Sequence, residues 1–251
     1  MAGFVRHQRG FTLIEMSIVL VIIGLIVGGI LKGQELIESS RQKNFISQID
    51  RLKAGTTTFV DRFKTLPGDF SRTTLLPNSA SLTAGNDNGV VGAVATTTAA
   101  VFTNELSDNE ETVEYFNHLL AAGLGSNGSV TGVAPVCYAG LCSTPSPLPS
   151  APFQQSGINI VFGTHEGLTT PLTTLQRHWL TTSRFVDGAI GAATGVLSGE
   201  RAFQIDNKYD DGHSQTGNIR SIASVADCGS NAASYDATQT DIQCPLAISL
   251  E

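Results

Sequence analysis

The sequence has few charged residues, which make up 15% of its 251 positions, and it has one tryptophan and two methionines. Globular domains usually carry about 25% charge. The low value, with abundant Gly, Ser, Thr, Ala and Asn, favours a loop-rich, partly β extracellular domain over a highly charged cytosolic enzyme. The formal net charge of −7 argues against a broad nucleic-acid footprint and leaves a local basic contact with nucleic acid open.

Motifs of common enzymes are also missing. The sequence has no Gly-x-Ser-x-Gly elbow and no phosphate-binding glycine-rich loop. His165-Glu166 and His178 do not have the H-E-x-x-H spacing of a zinc protease, and no third ligand accompanies them. Surface or loop positions are therefore predicted for these histidines, and nothing in the sequence indicates an enzyme.

Cysteine is absent from the first half of the chain, and the four cysteines are Cys137, Cys142, Cys228 and Cys244. Four cysteines permit three pairings. Their nesting favours Cys137–Cys142 and Cys228–Cys244, each closing a local loop. A zinc site is the alternative, but neither pair has the spacing of a zinc knuckle. Disulfides would indicate an oxidising compartment outside the cytoplasm.

The longest apolar run lies near the beginning of the chain. It extends over 21 residues from Phe11 to Leu31, and Glu15 is its only strongly polar member. About 20 apolar residues cross a bilayer as a helix. Arg6 and Arg9 precede the run, so the positive-inside rule places residue 1 in the cytoplasm. A secretory signal would have a shorter core and a small-residue cleavage site after it, and a plain signal anchor leaves Glu15 unexplained.

The stretch Arg9-Gly10-Phe11-Thr12-Leu13-Ile14-Glu15, followed by an apolar helix, resembles the prepilin signature of type IV pilins and of type II secretion pseudopilins. The resemblance implies that residues 1–10 are a leader, that prepilin peptidase cuts between Gly10 and Phe11, and that the Phe11 amine is N-methylated. The cleaved amine is a cation in an apolar setting. Glu15, of the same subunit or more plausibly of a neighbour, can neutralise it, which makes Glu15 an assembly residue.

This resemblance implies a structural subunit of a type IV pilus or pilus-like filament, and no catalytic residues. Its implied partners are prepilin peptidase, other pilin or pseudopilin subunits, an inner-membrane assembly platform and membrane lipid. Its implied location is the bacterial inner membrane before assembly, then a pilus at the cell surface or a periplasmic pseudopilus. The alternative is a minor subunit at a filament tip that acts as a binding module in secretion, adhesion or DNA uptake. A membrane-anchored periplasmic enzyme is the least supported alternative.

The predicted fold class is α+β and pilin-like, with a long N-terminal transmembrane helix packed on an antiparallel β-sheet. The predicted domains are a leader (1–10), a transmembrane segment (11–31), an amphipathic continuation of the helix (32–65) and a loop-rich globular domain with a C-terminal disulfide loop (66–251). The continuation carries one apolar stripe, formed by Phe45, Ile49, Leu52, Thr56, Phe59 and Phe63.

Several shorter elements are predicted within the globular domain. Strands are expected at Ile158–Phe162 and Ile219–Val225, and a short amphipathic helix ends at Gly123. Pro171, Leu172, Leu175 and Trp179 suggest another short helix. The segment 202–206 fits a strand or a helix.

Oxygen-rich side chains cluster in two turns. Asp206, Asp210 and Asp211 lie near Gly212, and Asn86-Asp87-Asn88 form the second turn. Calcium takes six to eight oxygen ligands from such loops, and some pseudopilins bind calcium in C-terminal loops. Calcium is therefore a predicted ligand at the three aspartates. Plain turns are the alternative, since Asp, Asn and Gly are the commonest turn formers.

Overall fold

The computed structural model of the protein describes residues 12–77, 79–91, 110–125, 151–153, 156–163, 177–186, 189–190, 196–221, 228, 234–235 and 244–251. These residues form three α-helices and five strands: α1 (Leu13–Phe63), α2 (Glu110–Ala121), β1 (Ser156–Gly163), β2 (Arg177–Val186), β3 (Ala189–Ile190), α3 (Gly199–Tyr209), β4 (Ile219–Ser221) and β5 (Leu246–Ser249). The chain divides into two compact units, residues 1–43 and 44–251.

The first unit contains the N-terminal part of α1. All residues from Thr12 to Lys32 are exposed. This part of the helix is long and apolar enough to cross a membrane, and its most apolar window has no buried residue. Since leucine, isoleucine and valine side chains point outward on every face, lipid or other helices must cover them.

The second unit begins with the C-terminal part of α1, where the predicted apolar stripe is confirmed. Phe45, Ile49, Leu52, Thr56 and Phe59 are buried, and the partly buried Phe63 packs against them. The helix ends at Phe63, and the next residue, Lys64, has a left-handed backbone conformation with φ of 63°.

The sheet is antiparallel, with strand order β1-β2-β5-β4, and β3 pairs with the far end of β2. Ile160 of β1 lies opposite Leu180 of β2, which lies opposite Ile248 of β5. Ile219 of β4 also pairs with Ile248. The strand predicted at Ile158–Phe162 is confirmed within β1. The strand predicted from Ile219 is present to Ser221, and its remaining residues lie outside the described part of the chain.

One hydrophobic cluster joins the helices to the sheet in this unit. It includes Phe59 of α1, Leu119 of α2, Ile160 and Leu180 of the sheet, and Ile205 of α3, each no more than 1% exposed. The α+β, pilin-like fold class predicted from the sequence is confirmed. The predicted boundaries of the leader, the transmembrane segment and the globular domain stay predictions.

Two expectations about positions near Trp179 were wrong. Trp179 lies in β2 opposite Val161 and Ser249, not in a helix, because its backbone pairs with strands on both sides. His178 is buried in the same strand at 3% exposure, not on the surface, because Val91 and Phe162 contact its ring. The ambiguous segment 202–206 is helical, within α3.

A disulfide joins Cys228 to Cys244, with 5.1 Å between their Cα atoms. This is the pairing that the nesting of the cysteines favoured. It rules out the zinc alternative for these two residues. The amide of Cys244 also donates to the carbonyl of Leu197 at 2.8 Å, so Cys244 lies beside the residues that lead into α3. Cys137 and Cys142 lie outside the described residues.

Candidate functional site

The first turn of α1 is closed by a reciprocal pair of side chains. The Thr12 backbone N–H and hydroxyl both donate to Glu15 Oε2, at 2.8 and 2.7 Å, and the Glu15 amide donates to the Thr12 hydroxyl at 3.3 Å. This is a capping box, in which Thr12 is the N-cap and Glu15 the third helical residue. The carboxylate also lies at the positive end of the helix dipole.

The capping box gives the exposed Glu15 a local role before any assembly occurs. Its carboxylate is held at the beginning of α1, close to where a newly cut chain would start. A carboxylate accepts more than one hydrogen bond, so the contacts with Thr12 leave acceptor positions for a cationic amine. Gly10 and Phe11, the predicted cleavage and methylation residues, lie outside the described residues, so the pairing of Glu15 with the Phe11 amine stays a prediction.

The three aspartates predicted to bind calcium lie together at the end of α3. One carboxylate oxygen from each of Asp206, Asp210 and Asp211 lies within 4.8 Å of the other two. Ligand oxygens on opposite sides of one calcium ion are up to about 5 Å apart, because each Ca–O distance is 2.3–2.6 Å. The three side chains therefore fit as part of a calcium ligand set.

The same carboxylates also close the turns around them. Asp206 is fully buried and accepts hydrogen bonds from the Tyr235 hydroxyl at 2.8 Å and the Gly212 amide at 3.3 Å. Burial, with a smaller contribution from the charges of Asp211 and Asp210, raises the pKa of Asp206 to about 6, although these two hydrogen bonds act to lower it. Asp210 accepts the backbone amides of residues 218 and 219. A cation would relieve the repulsion within this group.

The second oxygen-rich turn is built around a different carboxylate. Buried Asp69 accepts the amides of Asn88 and Gly89, each at 2.8 Å. Asn86 and Asn88 accept amides two residues further along the chain, and Asp87 accepts from the amide and hydroxyl of residue 71. For this turn the structure fits the plain-turn alternative. We call residues 66–69 with 85–89 the Asp69 clasp.

Several of these functional contacts had not been predicted from the sequence. The Thr12–Glu15 capping box has a sequence signal, because Thr and Glu stand three residues apart at the start of the helix. The role of Asp69 had a weaker signal in its Leu-Pro-Gly-Asp turn. The hydrogen bonds of buried His118 with Gly68 and Thr83 had no sequence signal, because these partners are distant from it in sequence.

Taken together, the exposed apolar helix, its carboxylate-capped beginning and the disulfide-closed α+β domain are typical of a protein that its N-terminal helix anchors in a membrane. Residues 5–31 match the family model described as the prokaryotic N-terminal methylation motif. The chain thus carries the type IV pilin and pseudopilin signature, which indicates a pilin-like or pseudopilin precursor. No curated protein and no solved structure matches the chain.

The signature also bears on the partners, the location and the type of protein. It implies processing by prepilin peptidase and assembly with other pilin subunits. With the apolar helix, it indicates membrane anchoring before assembly. It points to a structural protein rather than an enzyme.

Proposed function

We propose that this chain is a structural subunit of a type IV pilus or pilus-like filament, cut after Gly10 and assembled through α1. The observation that supports this most directly is that the methylation motif coincides with an exposed apolar helix, which begins with the Thr12–Glu15 capping box. A helix of this kind can leave lipid only if other apolar surfaces replace the lipid, and the helices of sister subunits offer such surfaces.

Filament growth follows from the same helix. Glu15 on one subunit and the Phe11 amine on another make a head-to-tail contact, and repeated contacts of this kind that do not close produce an open helical assembly. The charged pair favours one axial register, because any other register leaves a charge without its counterion in an apolar environment. The globular unit would then decorate the filament surface.

The proposal is tested by locating the chain in filaments. Antibodies against the globular unit are applied to sheared surface fractions and, by gold labelling, to whole cells of the producing strain and of a deletion strain. Label along the filament length supports a major subunit, and label confined to tips supports the alternative of a minor, binding subunit. A chain that stays in the membrane fraction, with normal filaments in the deletion strain, contradicts both.

Calcium binding by Asp206, Asp210 and Asp211 belongs to the same proposal as an accessory property of the globular unit. The three side chains supply ligand oxygens at a suitable separation. A bound cation would tie the end of α3 to the loop that contains Tyr235 and would compensate the buried negative charge.

Asp206→Asn is expected to be more stable than the parent chain at pH 7.5 without calcium. The raised pKa of Asp206 means that its proton stabilises the fold below pH 3.8 and that this contribution is lost as the pH rises through about 6. The loss amounts to at most about 3 kcal/mol. Melting temperatures of the full chain in detergent, at pH 5 and pH 7.5 with and without calcium, measure the effect.

Calcium is expected to raise the melting temperature of the parent at pH 7.5 and to leave Asp206→Asn almost unchanged. Asp61→Asn, at an exposed position on α1, is the matched control and should respond to calcium like the parent. An equal response of parent and Asp206→Asn to calcium, or no response of the parent, would contradict the calcium proposal and leave the filament proposal standing.

A further inference from the structure

Two buried histidines from different elements hold the same stretch of chain, residues 66–91, which we call the 66–91 segment. His118 of α2 is fully buried, and its Nδ1 accepts the Gly68 amide at 2.9 Å. His178 of β2 is 3% exposed, and its Nε2 accepts the Val91 amide at 3.1 Å. One ring therefore holds the beginning of the segment and the other holds its end.

These contacts require both imidazoles to be neutral. An imidazole nitrogen accepts a hydrogen bond only while it lacks a proton. Since Nδ1 of His118 accepts, its Nε2 carries the hydrogen and donates to the Thr83 carbonyl at 3.0 Å. His178 has the opposite tautomer, because its Nε2 accepts and its Nδ1 faces Glu251 Oε1 at 3.5 Å. Protonation would add a hydrogen to each accepting nitrogen, so that two donors would face each other and the hydrogen bond to the amide would be lost.

The surroundings of the two rings oppose their protonation. His118 packs beside the rings of Phe59 and Phe70, with ring centroids 6.4 and 6.1 Å from its own, and Glu114 of its own helix places a carboxylate oxygen 3.6 Å from Nε2. Burial lowers the pKa of His118 to about 4. Burial also lowers the pKa of His178, against the opposing influence of Glu251 and Asp69.

The segment that the rings hold covers part of the core. Phe70 and Val91 are fully buried and Leu76 is 4% exposed. Within the segment, the Asp69 clasp joins its two halves through carboxylate–amide bonds, and Asp87 accepts from the hydroxyl of residue 71. These bonds do not involve the histidines, so the clasp can stay closed while the contacts at Gly68 and Val91 are lost.

We propose that the 66–91 segment is an acid-operated latch: protonation of His118 and His178 releases it from α2 and β2 and exposes its apolar side chains, while the sheet stays folded. The neutral rings keep the latch closed near neutral pH, and the closed state loses stability as the pH falls below 6.5. This property is independent of filament assembly and concerns the globular unit alone.

Hydrogen exchange of the full chain in detergent micelles tests the latch. Exchange is measured by mass spectrometry at pH 7.5 and pH 4.5 and corrected for the intrinsic rates. Protection of peptides from residues 66–91 is expected to fall roughly 70-fold or more at pH 4.5, because His118 binds its proton with a pKa of 6.5 when released and about 4 when held. Peptides from β1, β2 and β5 should keep their protection. Unchanged protection of the segment, or equal loss in the strands, would overturn the proposal.

Non-titrating variants separate the latch from general acid sensitivity. His118→Asn and His178→Gln place an amide oxygen near the accepting nitrogen of each ring, and the double variant should lose the pH response of the segment. His213→Asn, at an exposed histidine, is the matched control and should keep it. If the double variant does not fold, ring ¹⁵N shifts of the parent chain decide the matter: both histidines titrating near pH 6.5, with the segment still protected, would refute the latch.

Discussion

Replacing Glu15 with leucine is expected to leave the chain inserted in the membrane and to abolish its assembly into filaments. The substitution makes the apolar run from residue 11 to residue 31 more hydrophobic, so insertion should not suffer. The Phe11 amine would then enter the filament interior without its carboxylate partner. An uncompensated buried charge costs about 3–5 kcal/mol, more than 100-fold in the equilibrium for each contact. Filament yield in the sheared fraction and chain content of the membrane fraction are the two measurements.

Two control variants separate assembly from local helix capping. Thr12→Val removes the hydroxyl that bonds Glu15 and keeps the carboxylate, so it should weaken the beginning of the helix by about 1 kcal/mol and still permit filaments. Glu35→Gln removes an exposed carboxylate that pairs with Lys32 and should assemble normally. Normal filaments from Glu15→Leu, or equal loss from Thr12→Val, would contradict the assigned role of Glu15.

Gly85→Ala is expected to destabilise the globular unit by about 3 kcal/mol or more. A Cβ at residue 85 would lie 2.2 Å from the carbonyl carbon of Asp69 and 2.3 Å from the Gly68 oxygen. Both are backbone atoms. They are held in place because the Asp69 carboxylate accepts hydrogen bonds from the amides of Asn88 and Gly89. The clasp must therefore open, which adds the loss of two charged hydrogen bonds to the cost of overpacking.

Gly89→Ala is the matched control on the same clasp. Gly89 has φ of +85°, and a Cβ there would meet no atom within 4 Å. Its cost comes from the left-handed backbone alone, about 1–2 kcal/mol. Urea unfolding of the full chain in detergent, followed by fluorescence of the single tryptophan Trp179, measures both variants. If Gly85→Ala lowers the free energy of unfolding no more than Gly89→Ala does, the close approach of residue 85 to Asp69 does not limit the side chain at that position.

The features that the sequence revealed are those carried by neighbouring residues. The cleavage signature, the apolar run and the stripe from Phe45 to Phe63 each occupy a continuous stretch, so periodicity and spacing suffice to recognise them. The Cys228–Cys244 pairing could also be predicted, because its partners are only 16 positions apart and both follow the other two cysteines along the chain.

The features that the sequence did not reveal depend on contacts between distant residues. Leu172, Leu175 and Trp179 have helical spacing, but Trp179 lies in a strand because β1 and β5 pair with it on both sides. His118 and Gly68 are 50 positions apart, and His178 and Val91 are 87 positions apart. Nothing local distinguishes a buried histidine that accepts an amide from one on the surface, so these roles required the fold.

The most direct test of the account is the mass of the N-terminal peptide of the protein recovered from the sheared surface fraction of its native cells. A subunit that is cut and methylated as proposed gives a peptide that begins at Phe11 and is one methyl group heavier than the unmodified sequence. A peptide that begins at Met1 or Ala2 would contradict it, because an uncut leader keeps the α-amine away from Glu15 and leaves a signal-anchored domain instead of a filament subunit.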